Sequence, residues 1–363
     1  MLNNTIDCIN FHFADTDRMA KPTIQDIAQI MGVSGSTVSR ALRDDPRISE
    51  KVIRAVKSTA VRLGYVPNIA ASNLRMGKTK LIGLIVRDIR DGFCLEVIPS
   101  VESACAASEY GLLLCDAGAS QPGELEYLRT LLQRRVDGII LITPQTTIPD
   151  PYLLFRREVP LVLVDSVVNG APICAVSVDH TMGGCLSTQH LLELGHQHIA
   201  FLSGPLSLSS SLRCVEGYHN AMTQAGIGMQ DQIVVLTEKT DIQAGYNGML
   251  DIIQLDPRPT AVATFSDLMA AGALEAARHC DISVPEELSI IGYDDIPLSS
   301  LLTPPLTTIK QNKDQLGAIA MQLLLEEIRD HDHIHQQVQI PPTLVIRGST
   351  TSPKRSIALT NQR

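Results

Sequence analysis

No stretch of the 363-residue sequence reaches the about 18 consecutive apolar residues that a membrane-spanning helix needs. The opening MLNNTIDCINFHFADTDRMA carries acids where a secretory leader needs a basic start and an apolar middle. These two absences predict a cytoplasmic chain with no membrane partner. The eight cysteines, Cys8, Cys94, Cys105, Cys115, Cys174, Cys185, Cys214 and Cys280, include no CxxC pair and no Cys/His spacing suited to zinc, so they are expected as reduced and mostly buried small apolar residues. There is no G-x-S-x-G nucleophile elbow, no P-loop and no zinc-enzyme signature, which predicts a protein that is not an enzyme and has no catalytic residue, cofactor or metal. The glycines of MGGC (182–185) lack the rest of a phosphate loop. HDHIH (331–335) resembles a metal-binding tract, but it follows a helix rich in Leu and Glu and reads rather as a solvated loop, and the histidines of LGHQHIAF (194–201) read as structural.

What is present is an uneven distribution of charge. The chain carries a net −9, yet residues 21–80 hold eleven Lys/Arg against four acids, a balance of +7 that leaves −16 for the remainder. A small basic module joined to a large acidic one fits a DNA-binding head on a body that does not touch DNA. With 44% hydrophobic residues, the chain is long enough for two or three domains with a sizeable core.

Three short helices are predicted in the head. Thr23 followed by Asp26 has capping-box spacing, with Ile24, Ile27, Ala28 and Met31 on one face. Gly32 allows a tight turn and Ser34 can cap a second helix, which is helix-turn-helix spacing. On that second helix Val38, Ala41 and Leu42 share the packing face. Ser36, Arg40 and Arg43 share the opposite one, with Gly35 and Ser39 at its edge. A face of small polar residues around a long cation lets the backbone lie deep in a major groove, where the Arg40 fork matches guanine O6 and N7. Ser36 and Thr37 are suited to phosphate or base contacts. A third helix is expected from a Ser49 cap to Gly64, with Val52, Val56, Ala60 and Leu63 inward. The following YVPNIAASNLRMGKTK is too polar to hold a core. Asn68 can cap two helical turns that would form only against a partner, and Leu74 beside Arg75 is either a minor-groove wedge or a lone leucine in a linker.

From Leu81 onward short apolar runs alternate with helical stretches, at 81–86, 112–115, 138–142, 161–164, 198–203, 233–236, 261–265 and 289–292, which argues for parallel sheets covered by helices on both faces. Two halves divide near 179–183. Polar residues stand where strands should end: Asp88, Asp165, Ser266, Asp267, Asp294 and Asp295. Carboxylates there are directed acceptors for hydroxyl groups, and Arg213 adds a forked donor. Asp267 and Asp295 are expected as caps of the following helices. Hydroxyl-reading carboxylates suit a sugar, whereas Arg87, Arg90 and Lys313 near the cleft mouth would tolerate a sugar acid or sugar phosphate.

The segments PTIQDIAQIMGVSGSTVSRAL, YVPNIAASNLR and TKLIGLIV, followed in order by VDGIIL, VPLVLVD, HLLELGHQHIAFLSGP, SLRCVEGYHNAM, DISVPEELSIIGYDD, PPLTTIKQ and PTLVIRGST, resemble the LacI/GalR family of bacterial transcription regulators from about Lys21 to Thr350. The resemblance implies an all-α helix-turn-helix head and an α/β body of two doubly wound parallel-sheet subdomains of periplasmic-binding-protein type, crossed three times by the chain. It implies the following organisation: residues 1–20 as an extra N-terminal arm or a misassigned start; 21–66 as the DNA-binding domain; 67–79 as hinge helix and linker; 80–350 as the effector core; and 351–363 as a tail. Within the core the first subdomain covers about 80–179 and 312–338, and the second about 180–311 and 339–350.

It further implies a homodimeric repressor of carbohydrate or sugar-acid uptake and catabolism genes that reads a pseudo-palindromic double-stranded operator. The tail has no leucine heptad of the kind that builds a tetramer, so a dimer is expected. The DNA-contact set is Thr23, Ser34, Gly35, Ser36, Thr37, Ser39, Arg40 and Arg43, with Asn68, Ala71, Leu74 and Arg75 in the hinge. Gly35 and Ser266 depart from the commoner larger side chain and Asn at their positions. The effector set is Asp88, Phe93, Asp165, Arg213, Ser266 and Asp294, with Phe93 stacking on a ring.

Overall fold

The computed structural model describes residues 22–66, 78–118, 121–143, 159–166, 172–330 and 334–354. The chain divides into two units, residues 1–77 and 78–363.

End signals define the helices of the first unit. Helix α1 (Ile24–Met31) begins with a reciprocal capping box: the Asp26 N–H donates to Thr23 Oγ1 at 3.4 Å, and the Thr23 N–H donates to the Asp26 carboxylate at 2.7 Å. It ends at Gly32, whose φ of 64° is left-handed. Helix α2 (Gly35–Ala41) begins from Ser34, whose hydroxyl accepts from the Thr37 N–H at 3.1 Å. Helix α3 (Glu50–Leu63) runs to Gly64. Ser49 occupies its cap position but makes no side-chain cap bond, so that expected cap is positional only. Ile27, Ala28, Val38, Ala41, Val56 and Ala60 close a small core, with Ile24, Val33, Leu42, Val52 and Leu63 packed around it.

The second unit runs β1 (Leu81–Val86), α4 (Gly92–Ala107), β2 (Gly111–Asp116), α5 (Gln121–Gln133), β3 (Gly138–Ile142), β4 (Leu161–Val164), β5 (Cys174–Val178), α6 (His180–Glu193), β6 (Ile199–Ser203), α7 (Ser209–Gln224), β7 (Ile233–Leu236), α8 (Ile242–Ile253), β8 (Ala261–Thr264), α9 (Asp267–His279), β9 (Ser289–Asp294), β10 (Thr307–Lys310), α10 (Lys313–Arg329), β11 (Gln337–Ile340) and β12 (Thr343–Val345). Two six-stranded sheets result, ordered β11-β5-β4-β3-β1-β2 and β12-β10-β9-β8-β6-β7. Every pairing is parallel except β12 against β10.

Continuous runs such as LIGLIV, GIILI and LVLV are strands buried on both faces, because helices cover both sides. Alternation sorts their side chains: Ile82, Leu84 and Val86 pack with α4 and α10, whereas Ile85, Ile139 and Leu141 pack with α5. In the second sheet Leu202 and Val262 meet α8 and α9, and Phe201 and Ala263 meet α6 and α7.

The pattern does not predict strands β5, β10, β11 and β12, because CAVSV, TTIK, QVQI and TLV carry polar residues among the apolar ones, unlike the four-residue LVLV of β4. Strand β11 extends to Ile340 in register with β5 (Ile340 opposite Val178), so the chain passes to the second sheet at 341–342. No helix among the described residues is long and apolar enough to cross a membrane.

Candidate functional site

In the first unit Ser36 and Arg40 are exposed on α2, with Gly35, Thr37 and Ser39 partly covered, whereas the helix stops at Ala41 and leaves Arg43, expected on the same face, exposed in the following turn. The Ser34 hydroxyl sits 2.8 Å from both the Ser36 and Thr37 hydroxyls, a short polar ladder at the helix start. Intramolecular pairing separates the cations. Arg47 pairs with Asp45 at 2.7 Å, Lys57 with Asp44 at 2.7 Å and Arg54 with Glu50 at 3.4 Å. Arg40 and Arg43 have no ion-pair partner among the described residues, so their charge is directed to solvent. A Cβ added at Gly35 would lie 3.6 Å from Ile24, an ordinary contact, so packing does not require glycine there. The hinge candidates Asn68, Ala71, Leu74 and Arg75 lie outside the described residues.

In the second unit the strand ends of the two sheets face one another across a cleft holding two adjoining cavities. The outer one, about 170 Å³, is lined by Asp165, Ser177, His180, Ser209, Arg213 and Gln339, among others. The inner one leaves about 30 Å³, and its walls include Arg87, Asp91, Phe93, Asp165, His180, Ser210, Thr240, Phe265, Ser266, Tyr293, Asp294 and Gln311. Asp165 and His180 belong to both. Asp165 follows β4 of the first sheet and His180 opens α6 against the second, and their contact of 2.5 Å partitions the cleft. His180 Nδ1 also reaches the Tyr293 hydroxyl at 3.0 Å.

Of the residues expected to meet the effector, Phe93, Asp165, Ser266 and Asp294 line the inner cavity and Arg213 the outer one. Asp88 lines neither. It accepts from the Arg90 guanidinium at 2.8 and 2.9 Å, and Asp91, three residues further on, takes its place at the wall. Asp91 is the N-cap of α4, accepting from the Phe93 and Cys94 N–H groups at 2.9 and 3.2 Å, and its other oxygen meets Arg87. The Asp-Gly-Phe sequence at 91–93 carried that cap signal. Ser266 is the N-cap of α9, accepting from the Met269 N–H at 3.2 Å, so the cap expected of Asp267 belongs to its neighbour. Asp267 is fully buried and accepts instead from the Thr308 hydroxyl at 2.5 Å and the Ile296 N–H at 2.9 Å. Asp295 likewise caps no helix and pairs with Arg347 at 2.5 Å.

Burial sets the protonation chemistry here. It raises Asp267 to about 7 despite the two hydrogen bonds that oppose the shift. Asp294 is likewise held well above the usual carboxylate range, through burial and the nearby Asp267. Gln311 Nε2 donates to Asp294 at 2.5 Å. For His180, burial is the largest single influence and favours the neutral ring, but the charge and hydrogen bond of Asp165, with Cys214 adding to them, together outweigh it and raise the imidazole to about 10, an imidazolium at neutral pH. The inner cavity thus presents aromatic faces from Phe93 and Phe265 and polar atoms from hydroxyls, carboxyls and an amide, an arrangement that packs a ring and satisfies its hydroxyl groups.

Residues 23–68 match the family described as bacterial regulatory proteins, lacI family, and residues 188–350 match the periplasmic binding protein-like domain. The ribose operon repressor of Escherichia coli (strain K12) is 35% identical over 328 residues, covering 90% of this chain and 99% of that protein. The chain belongs to the lacI family of bacterial regulatory proteins. It is a DNA-binding transcriptional regulator of that family. A crystal structure of the lac repressor dimer bound to operator and the anti-inducer ONPF superimposes with a TM-score of 0.82 at 27% identity, covering 91% of this chain and 99% of that one. A lacI family regulator from Enterococcus faecium with bound ribose has a TM-score of 0.68 at 29% identity, covering 76% of this chain and 100% of that one. The fold expected from the sequence, a helix-turn-helix head and two parallel-sheet subdomains, is the fold shared with these regulators.

Proposed function

We propose that this regulator is a cytoplasmic homodimeric repressor of carbohydrate-utilisation genes, in which paired α2 helices read the half-sites of a pseudo-palindromic operator and a neutral sugar in the cleft sets operator affinity. The observation that carries the effector class is the pairing of cations around the cleft. Arg87 meets Asp91, Arg90 meets Asp88 at 2.8 Å, Lys313 meets Glu96 at 2.6 Å and Arg213 meets Glu216 at 3.0 Å. A sugar acid or phosphate would have to break one of these pairs to find a counter-charge, whereas the hydroxyls of a neutral sugar need only the acceptors and donors of Asp294, Gln311, Ser266 and the Asp165–His180 pair. The ribose in the Enterococcus regulator and the name of the Escherichia coli repressor favour a pentose.

The inner cavity of about 30 Å³ has room for about one water molecule, so a sugar enters only as the subdomains part and is then enclosed. Such a ligand shifts the population of DNA-competent dimers through its differential affinity for the two states. The test is operator affinity of the full-length protein, measured by fluorescence anisotropy with ribose, a sugar acid and a sugar phosphate in parallel. A response to the neutral sugar, abolished in Asp294→Ala, is expected; a response confined to the acid or phosphate would overturn the assignment.

A further inference from the structure

Far from the cleft, three residues separated in sequence converge. Cys174 opens β5 and is fully buried, Glu327 lies in the last turns of α10 at 3% exposure, and His335 stands two residues before β11. A sulfur, a carboxylate oxygen and a ring nitrogen from these residues all lie within 4.8 Å of one another. His335 Nδ1 is 3.4 Å from Glu327 Oε1. The Gln336 backbone N–H points at Cys174 Sγ at 3.4 Å, the kind of donor that stabilises a thiolate ligand.

We propose that Cys174, Glu327 and His335 form a zinc site, completed by water, that fastens the chain between α10 and β11 to the head of β5. One thiolate, one imidazole and one carboxylate are the ligand types of tetrahedral zinc, while magnesium and calcium take oxygen alone. Bonds of about 2.0–2.3 Å place tetrahedral ligand atoms about 3.3–3.8 Å apart, so the present spacing closes on an ion by side-chain adjustment of Glu327 and His335. The His335 side chain, 21% exposed, gives the ion its entrance and the water its place, whereas the sulfur and carboxylate are shielded. Residue spacing gives no hint of this site, because its ligands come from a strand, a helix and the segment after it. The histidine of HDHIH that matters is the last one, brought inward by the start of β11.

The test uses full-length protein stripped of metal and titrated with cobalt(II) in a Cys8→Ser/Cys280→Ser background, which removes the thiol exposed among the described residues and the one at position 8. One equivalent should bind, with the visible bands of tetrahedral cobalt and a near-ultraviolet thiolate-to-cobalt charge-transfer band, both displaced by zinc. Cys174→Ala should abolish the charge-transfer band. His335→Ala should weaken binding by about tenfold or more, and circular dichroism should show both variants folded. Two results would overturn the site: no charge-transfer band in the parent protein, or cobalt binding that survives Cys174→Ala and His335→Ala but disappears when His331 and His333 are replaced.

Discussion

Arg40 illustrates what a single side chain contributes when its neighbours leave it alone. Asp44, Asp45 and Glu50 pair with Lys57, Arg47 and Arg54, so Arg40 feels the charge of Asp45 without an ion pair and its side chain stays exposed. Replacing Arg40 with Ala should weaken binding to the specific operator by about 1–3 kcal/mol while scarcely changing affinity for random duplex. Anisotropy on both DNAs at one ionic strength measures this, and equal losses on both would mean a phosphate contact instead. Arg213 shows where residue-scale reading stops. Adjacent positions on a helix point about 100° apart, and on α7 Cys214 is the one turned fully inward beside His180, while Arg213 stays 40% exposed and pairs with Glu216. Sequence gave the donor's identity but not the rotation of its helix.

At the scale of elements, the glycines of MGGC acquire a role. A Cβ on Gly184 would fall 2.1 Å from the Cys214 carbonyl oxygen, and one on Gly217 would fall 2.1 Å from that of Thr181, so α6 and α7 touch backbone to backbone. Gly184→Ala should therefore destabilise the second unit by about 1–3 kcal/mol or more, read as a lower urea midpoint. Gly35→Ala at the start of α2 has room and should instead stabilise the head by about 0.5–1 kcal/mol, read as a higher melting temperature of that unit.

The Asp165–His180 pair links the end of β4 to the start of α6, and its titration has a definite sign. The folded His180 value of about 10 lies above the ordinary imidazole value of 6.5, so its stabilising contribution is complete below about 6.5 and is lost as pH rises through about 10. Thermal unfolding of His180→Gln should accordingly show a flatter pH dependence between 7 and 10 than the parent. An unchanged slope would mean that another group carries it. Element types were legible wherever an apolar run or a cap was long enough, as in LIGLIV and the Thr23 box. The short strands β5, β10, β11 and β12 were not, because tertiary pairing rather than local pattern holds them extended.

For the whole molecule, a basic head joined to an acidic body concentrates affinity for the DNA backbone in the head. If a homodimer spans a pseudo-palindrome, destroying one half-site should reduce affinity to near that of random DNA, whereas a monomeric reader would retain its binding to the intact half-site. Competition with half-site and full-site duplexes decides between them.

The sequence by itself determined the helix starts and stops of the head, the cationic face of α2 and the alternation of strand and helix in the body. Each of these rests on interactions within a few residues: capping hydrogen bonds, side-chain periodicity and local charge. Only the tertiary structure decided that Asp91 and His180 line the cleft while Asp88 does not, that Lys313 meets Glu96, and that Cys174, Glu327 and His335 meet. Those outcomes depend on which strand ends face each other and how far each helix is rotated, quantities fixed by packing between segments more than a hundred residues apart.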